Sequence, residues 1–225
     1  MKAIGEFLYK YRHAALLLYF FPYMMWFGWL QQNTRPVVWV CSWIDGYIPF
    51  LEIFVIPYLI WFFYIAAAMA YFLFHSRTEF LKLCTFLFTG MTICLLIYTI
   101  LPNGQFLRPL VFKRDNIFTD LVRTIYLLDP SFNVCPSIHC LNSIGVHIAI
   151  RRSQLGQRSR AIRYGSGVLM VLICLSTVFI KQHSIIDVVA AIILSIPLYL
   201  LAYRFDQIRD YFVQRRARRL SRDPA

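Results

Sequence analysis

Six stretches of the chain are apolar and uncharged, and charges and prolines gather between them. The first runs from Ala14 to Leu30, the second from Ile53 to Phe74 and the third from Leu83 to Leu101. Each is close to the roughly 20 residues that carry an α-helix across a bilayer core. The other three are shorter: Ser137 to Ile150, Tyr164 to Ile180 and Val188 to Tyr203. Each reaches the length of a span by extending one polar turn at the end that carries His139 or His183. The pattern predicts an all-α polytopic membrane protein, a bundle of six transmembrane helices in one membrane domain. The spans fall at about 14–30, 53–74, 83–101, 137–152, 164–180 and 185–203, with a basic tail over 204–225. Pro22, Pro57 and Pro197 lie inside the runs, which membrane helices tolerate better than soluble ones. The first run is long and aromatic and lacks a small-residue cleavage site, so it is expected to be retained as a span.

A long loop, 102–136, joins the third and fourth runs. Within it Ile117, Phe118, Leu121, Val122, Ile125 and Leu128 recur at helical spacing. Asp115 or Asn116 is placed to cap such a helix, and Asp129-Pro130 to end it. The expectation is a short amphipathic helix lying in the membrane interface.

Composition closes off the soluble alternatives. Hydrophobic residues make up 59% of the 225 residues and charged residues only 15%. That leaves too little polar surface to cover a water-soluble globule. The formal net charge is +12, and its distribution sets the orientation. The N-terminus, the second loop, the fourth loop and the C-terminus together hold 17 of the 23 Lys and Arg residues. Under the positive-inside rule these segments are cytoplasmic, both termini included, and the 102–136 loop is outside. The basic tail, Arg215 to Arg222, is then accounted for by topology and anionic lipid, and no nucleic-acid partner is expected. Six cysteines occur without a C-x-x-C pair or a zinc-like spacing, so neither a metal nor a cofactor is expected.

The candidate chemistry gathers at the outer face. Arg108-Pro109 lies in the third loop, Pro136-Ser137-Ile138-His139 opens the fourth span, and Lys181-Gln182-His183 with Asp187 opens the sixth. His183 and Asp187 are four residues apart at a helix start and share a face. A carboxylate there can bond one imidazole nitrogen, fix the tautomer and leave the other nitrogen nucleophilic. The same pair also suits a structural cap. Ser137 follows a proline as an N-cap does, which puts His139 in a first turn where free amides favour a bound phosphate. Arg108 can hold phosphate through a bidentate fork, or a lipid headgroup. His147, within the fourth span, is expected to hydrogen-bond inside the bundle.

Together, P-S-x-H (Pro136 to His139) and S-x6-H-x3-D (Ser176, His183, Asp187), with Arg108-Pro109 before them, resemble the type-2 phosphatidic acid phosphatase superfamily, the lipid phosphate phosphatases. The likeness covers roughly Leu101 to Asp187 and the six-span layout. It implies that His183 forms a phosphohistidine, that Asp187 orients it and that His139 protonates the leaving oxygen. It further implies that Arg108, Ser137 and Ser176 bind phosphate oxygens without a metal. Two positions depart from the family pattern: Leu101 stands where its first motif has lysine, and Thr177 where its third has arginine. Lys181, Lys113 and Arg114 lie on the same side as possible replacements. The Q-H-x3-D stretch also looks like that of sphingolipid headgroup transferases. The expectation is a cell-membrane hydrolase acting on a lipid phosphate at the outer face, with a transferase to an alcohol as the alternative.

Overall fold

The computed structural model describes Glu6 and residues 9–220, with side chains described as far as Arg204. The chain is mostly helical: α1 (Phe20–Asn33), α2 (Val55–His75), α3 (Arg77–Ile100), α4 (Ile117–Leu128), α5 (Ile138–Arg152), α6 (Gln154–Arg158), α7 (Arg160–Phe179) and α8 (Ile185–Leu220). Among the described residues, four helical segments are long and apolar enough to cross a membrane: Glu52–His75, Arg77–Ile100, Arg160–Phe179 and Ile185–Arg204. α1 and α5, at 14 and 15 residues, are shorter.

The first apolar run is not one α-helix. Residues Arg12–Tyr19 wind as a 3₁₀ helix and α1 begins only at Phe20. Pro22 explains the change. An α-helix running through it would need an N–H that proline lacks, whereas in the first turn of α1 that N–H is not required. Pro57 is likewise in the first turn of α2, after a 3₁₀ turn at Glu52–Phe54. Only Pro197 sits within a helix interior, that of α8.

Polar caps move other boundaries outward from the apolar runs. Ser76 accepts from the Glu79 amide at 3.3 Å, so α3 starts at Arg77, a turn before the uncharged run. Ser159 does the same for α7 through Ile162. α8 continues beyond the expected end at 203 as far as Leu220. α4 occupies the segment its spacing predicts, with Asn116 accepting from the amides of Phe118 and Thr119 and Asp129 following its last turn.

α5 packs against α2, α3, α7 and α8 and is the central helix. That setting accounts for its short and only moderately apolar run: its neighbours are helices, not solvent or lipid. Close approach depends on glycine. A Cβ on Gly145 would meet the Phe86 ring at 2.5 Å, and one on Gly90 would meet Leu141 and Leu198 at 2.9 Å.

The loops after α1 and α3 contain a small element that the hydrophobic pattern did not announce. Strands β1 (Val38–Trp39) and β2 (Asn103–Gly104) pair in parallel, Val38 with Asn103 and Trp39 with Gly104. Beside this pair the Asn103 side chain accepts from the amides of Val134 (2.9 Å) and Cys135 (2.8 Å) and donates to the Cys135 carbonyl (2.9 Å). The segment leading into Ser137 and His139 is thereby fixed from below.

Candidate active site

The site begins where α7 stops. Ile180 closes the last turn, and Lys181 takes a left-handed conformation with φ 56°. The amides of Gln182 and His183 then both turn back onto the Thr177 carbonyl at 2.9 Å. A left-handed residue other than glycine costs roughly 1–2 kcal/mol, so the surrounding contacts must hold it. The Lys181 ammonium donates to the carbonyls of Asp45 (2.8 Å) and Ile48 (2.6 Å), and Gln105 donates to the Lys181 carbonyl at 2.9 Å. The Asp45 side chain caps α8. It accepts from the Ser184 hydroxyl at 2.6 Å and from the Ile185 amide at 2.9 Å. The short loop 181–184 is thus clamped by the loop between α1 and α2 and by the loop after α3.

His183 projects from this loop. Its Nδ1–H donates to Asp187 Oδ2 at 3.0 Å, and the same oxygen accepts the Ser184 amide at 3.0 Å. Its Nε2 lies 3.4 Å from Nδ1 of His139. Burial disfavours the charged His183 ring, but the hydrogen bond and charge of Asp187 outweigh it, and His183 titrates above the ordinary histidine range. The Asp187 carbonyl accepts from the Ser137 amide at 3.1 Å, which ties the start of α8 to the start of α5. His139 sits between two aromatic rings, Trp61 at 4.3 Å and Tyr58 at 4.7 Å between centroids. The Trp61 indole donates to the His139 carbonyl at 3.1 Å.

The structure therefore brings His183, Asp187 and His139 together. The remaining residues singled out from sequence have other partners. The Arg108 guanidinium stacks over the Tyr126 ring at 4.2 Å and donates to the carbonyls of Tyr126 (3.0 Å) and Asp129 (2.5 Å) and to the Gln182 side-chain oxygen. The fork that sequence reserves for phosphate is bonded to protein in this structure, and only the buried Nε has no partner among the described residues. Ser137 accepts from the Cys140 amide at 3.3 Å as the cap of α5, and the fully buried Ser176 donates to the Ile173 carbonyl at 2.6 Å. Lys181, expected as a replacement cation, is a buried anchor for the loop it belongs to. Thr177 is fully buried in the helix interface, its hydroxyl 3.7 Å from Cys140 Sγ, so an arginine has no room there. Arg114 pairs with Glu52 at 3.2 Å. His147 bonds Ser166 at 2.8 Å across the α5–α7 contact.

The histidines border a deep cavity of about 800 Å³. One end of its lining is formed by His139, His183, Gln182 and Asp129, and the other by Leu17 and Leu73. The stretch of α2 that lines it, Tyr58 to Leu73, spans ~22 Å at the α-helical rise. Nearly all of the lining is apolar and aromatic.

Sequence reading passed over two acids here. Asp45 is 1% exposed and holds both α8 and Lys181. Asp129, read only as a helix stop, lines the cavity and accepts from the Gln182 amide (3.3 Å) and the Tyr58 hydroxyl (3.4 Å). Burial raises its carboxyl above the usual range, against the pull of His183 and Arg108. The available signal was rarity: only 11 acidic residues occur in the whole chain, and an acid inside so apolar a protein needs a partner or a task. Compared with family models, characterised proteins and solved structures, the chain finds no match in any of the three.

Proposed function

We propose that the chain is a six-span integral membrane enzyme that removes the phosphate of a lipid phosphate, as a monoester or pyrophosphate, through a phosphohistidine on His183. The observation that carries this reading is the His139–His183–Asp187 arrangement at the mouth of a cavity shaped for a hydrocarbon chain. Asp187 fixes the proton on Nδ1 and leaves the Nε2 lone pair free to attack. Both rings border the cavity, so a phosphoryl group arriving from it meets both. His183 Nε2 bonds to phosphorus as the bond to the lipid oxygen breaks, and His139 gives that oxygen its proton. In the second half, water attacks phosphorus, His139 takes the water's proton, and the N–P bond breaks to free His183 and inorganic phosphate. Arg108, touching the residue before His183, supplies positive charge to the site, and the first-turn amides of α5 supply donors.

The span count follows from packing. Residues 12–33 are helical throughout and extend ~37 Å by their 3₁₀ and α rises, enough for a bilayer core of roughly 30 Å. α5 is shorter but enclosed by four helices, so it need not match the lipid thickness. α4 keeps Ile117, Leu127 and Leu128 exposed, which suits a helix lying in the interface on the outer side. With the basic segments in the cytoplasm, the histidine site faces outward.

A second reading has its own observation. Asp129 places a carboxylate at the cavity wall beside the histidines, where a hydroxyl can donate to it. A lipid headgroup transferase, passing the phosphoryl group or its headgroup ester to an alcohol, uses the same His183 step. The purified chain with a radiolabelled lipid phosphate tests both. An acid-labile, base-stable labelled protein absent from His183→Ala is expected, with free phosphate as the product. Full activity in His183→Ala would overturn the mechanism, and product that forms only with an added alcohol would move the assignment to the transferase.

A further inference from the structure

Less than a helical turn below the histidines, the wall of the cavity carries an unpartnered amide. Asn142, in α5, is 2% exposed, lines the cavity, and makes no hydrogen bond among the described residues; its Oδ1 is buried without a partner. Leaving a buried amide unpaired is destabilising, and a leucine would fill a similar volume without that cost. A buried amide left unpaired at the wall of a cavity is matched by a polar atom of a ligand in it. Asn142 is three residues beyond His139 on the same helix, a rise of ~4.5 Å at an angle of about 60°. Met91, Ile138 and Leu87, which also line the cavity, offer nothing polar.

A lipid whose phosphorus sits at His183 lays its next few atoms along this part of the wall. In a glycerolipid or sphingolipid those atoms include an ester or amide. In a polyprenyl pyrophosphate they are hydrocarbon. We propose that Asn142 is a subsite for the ester or amide linkage of the lipid, its Nδ2 donating to the linkage carbonyl and its Oδ1 accepting from an amide N–H where one is present. The substrate is then an acylated lipid phosphate and not an isoprenyl one. The inference rests on the lipid-phosphate reading of the site and adds the substrate class to it.

Three substrates in mixed micelles test this: a diacyl phosphatidate, its dialkyl ether analogue and geranylgeranyl pyrophosphate, each with the unsubstituted chain and with Asn142→Leu. The unsubstituted chain should favour the diacyl over the dialkyl form about tenfold in kcat/KM, the scale of one lost hydrogen bond. Asn142→Leu should remove that preference by lowering only the diacyl value, with the other two substrates within about twofold, a change below half a kcal/mol. Equal turnover of diacyl and dialkyl forms by the unsubstituted chain overturns the subsite whether or not the variant folds. So does a common loss on all three substrates in the variant, which marks a structural role. Turnover of none of the three defeats the lipid-phosphate reading and this inference with it, whereas turnover indifferent to Asn142 defeats this inference alone.

Discussion

His183 is subject to two opposed influences, burial that disfavours its charge and Asp187 that favours it, and Asp187 wins. In the proposed mechanism attack requires the neutral His183 ring, so the acid limb of the rate profile should have its midpoint above the ordinary histidine value of about 6.5, while the need for a proton on His139 bounds the rate at high pH. Asp187→Asn removes the favouring charge and leaves burial, so the midpoint should move to lower pH. Its plateau should also fall roughly a hundredfold or more, because the tautomer is no longer enforced. A pH–rate profile of both proteins reads the two effects together, and a midpoint that does not move would show that Asp187 is only a cap of α8. At this scale the sequence was informative where spacing encodes contact: H-x3-D sets a histidine just before a helix against an acid in its first turn, and they bond at 3.0 Å. It was silent on Asp45, Asp129 and Asn142, whose partners or cavity walls come from remote segments. It also pointed Lys181 and Arg108 at a ligand, since sequence shows a charge but not the backbone carbonyls that take up its donors.

At the scale of elements, close packing against α3 positions α5, the helix whose first turn carries His139. Gly145→Ala pushes a methyl group to 2.5 Å from Phe86, an overpacking cost of about 1–3 kcal/mol that exceeds the ~1 kcal/mol of helix propensity it gains. The midpoint of thermal unfolding in detergent should therefore fall. Gly165→Ala, with nothing within 4 Å of the added carbon, should leave it unchanged or raise it. A Gly145→Ala protein as stable as its parent would mean that α3 and α5 are not so closely apposed. Helices were legible in the sequence wherever a continuous apolar run met a capping serine, although counting uncharged residues alone clipped the first turns of α3 and α7. The 3₁₀ stretch before Phe20 was hidden because a proline in an apolar run is compatible with either a tolerated kink or a change of helix type. The β1–β2 pair, two residues a side and 65 positions apart, carries no periodicity to detect.

For the whole molecule, the proposed orientation makes opposite ends of the bundle chemically distinguishable. Asp115 lies in the loop before α4 with an 84% exposed side chain, and Gln157 lies in α6, between α5 and α7. A cysteine at 115 should react with a membrane-impermeant maleimide on intact cells. One at 157 should react only after lysis, each measured over the unsubstituted chain. The reverse pattern would invert the bundle and put the histidines in the cytoplasm. Six spans were expected, whereas four helical segments among the described residues are long and apolar enough to cross a membrane. The helical, apolar character of the chain came directly from the sequence. Which short runs are enclosed by others did not, because enclosure is a property of the assembled bundle.

The cavity wall includes Met24 of α1 and Phe62 of α2, each 58% exposed on the outside of the bundle as well as lining its interior. If the chain acts on a lipid phosphate as proposed, a chamber with such a flank would admit that lipid from the side, out of the surrounding leaflet, and not from the water above. Encounter then becomes a two-dimensional search. The governing concentration is the mole fraction of the lipid in its membrane, so an inert lipid added around the protein slows it as dilution slows a soluble enzyme, while the volume of the aqueous compartment has no bearing on its rate.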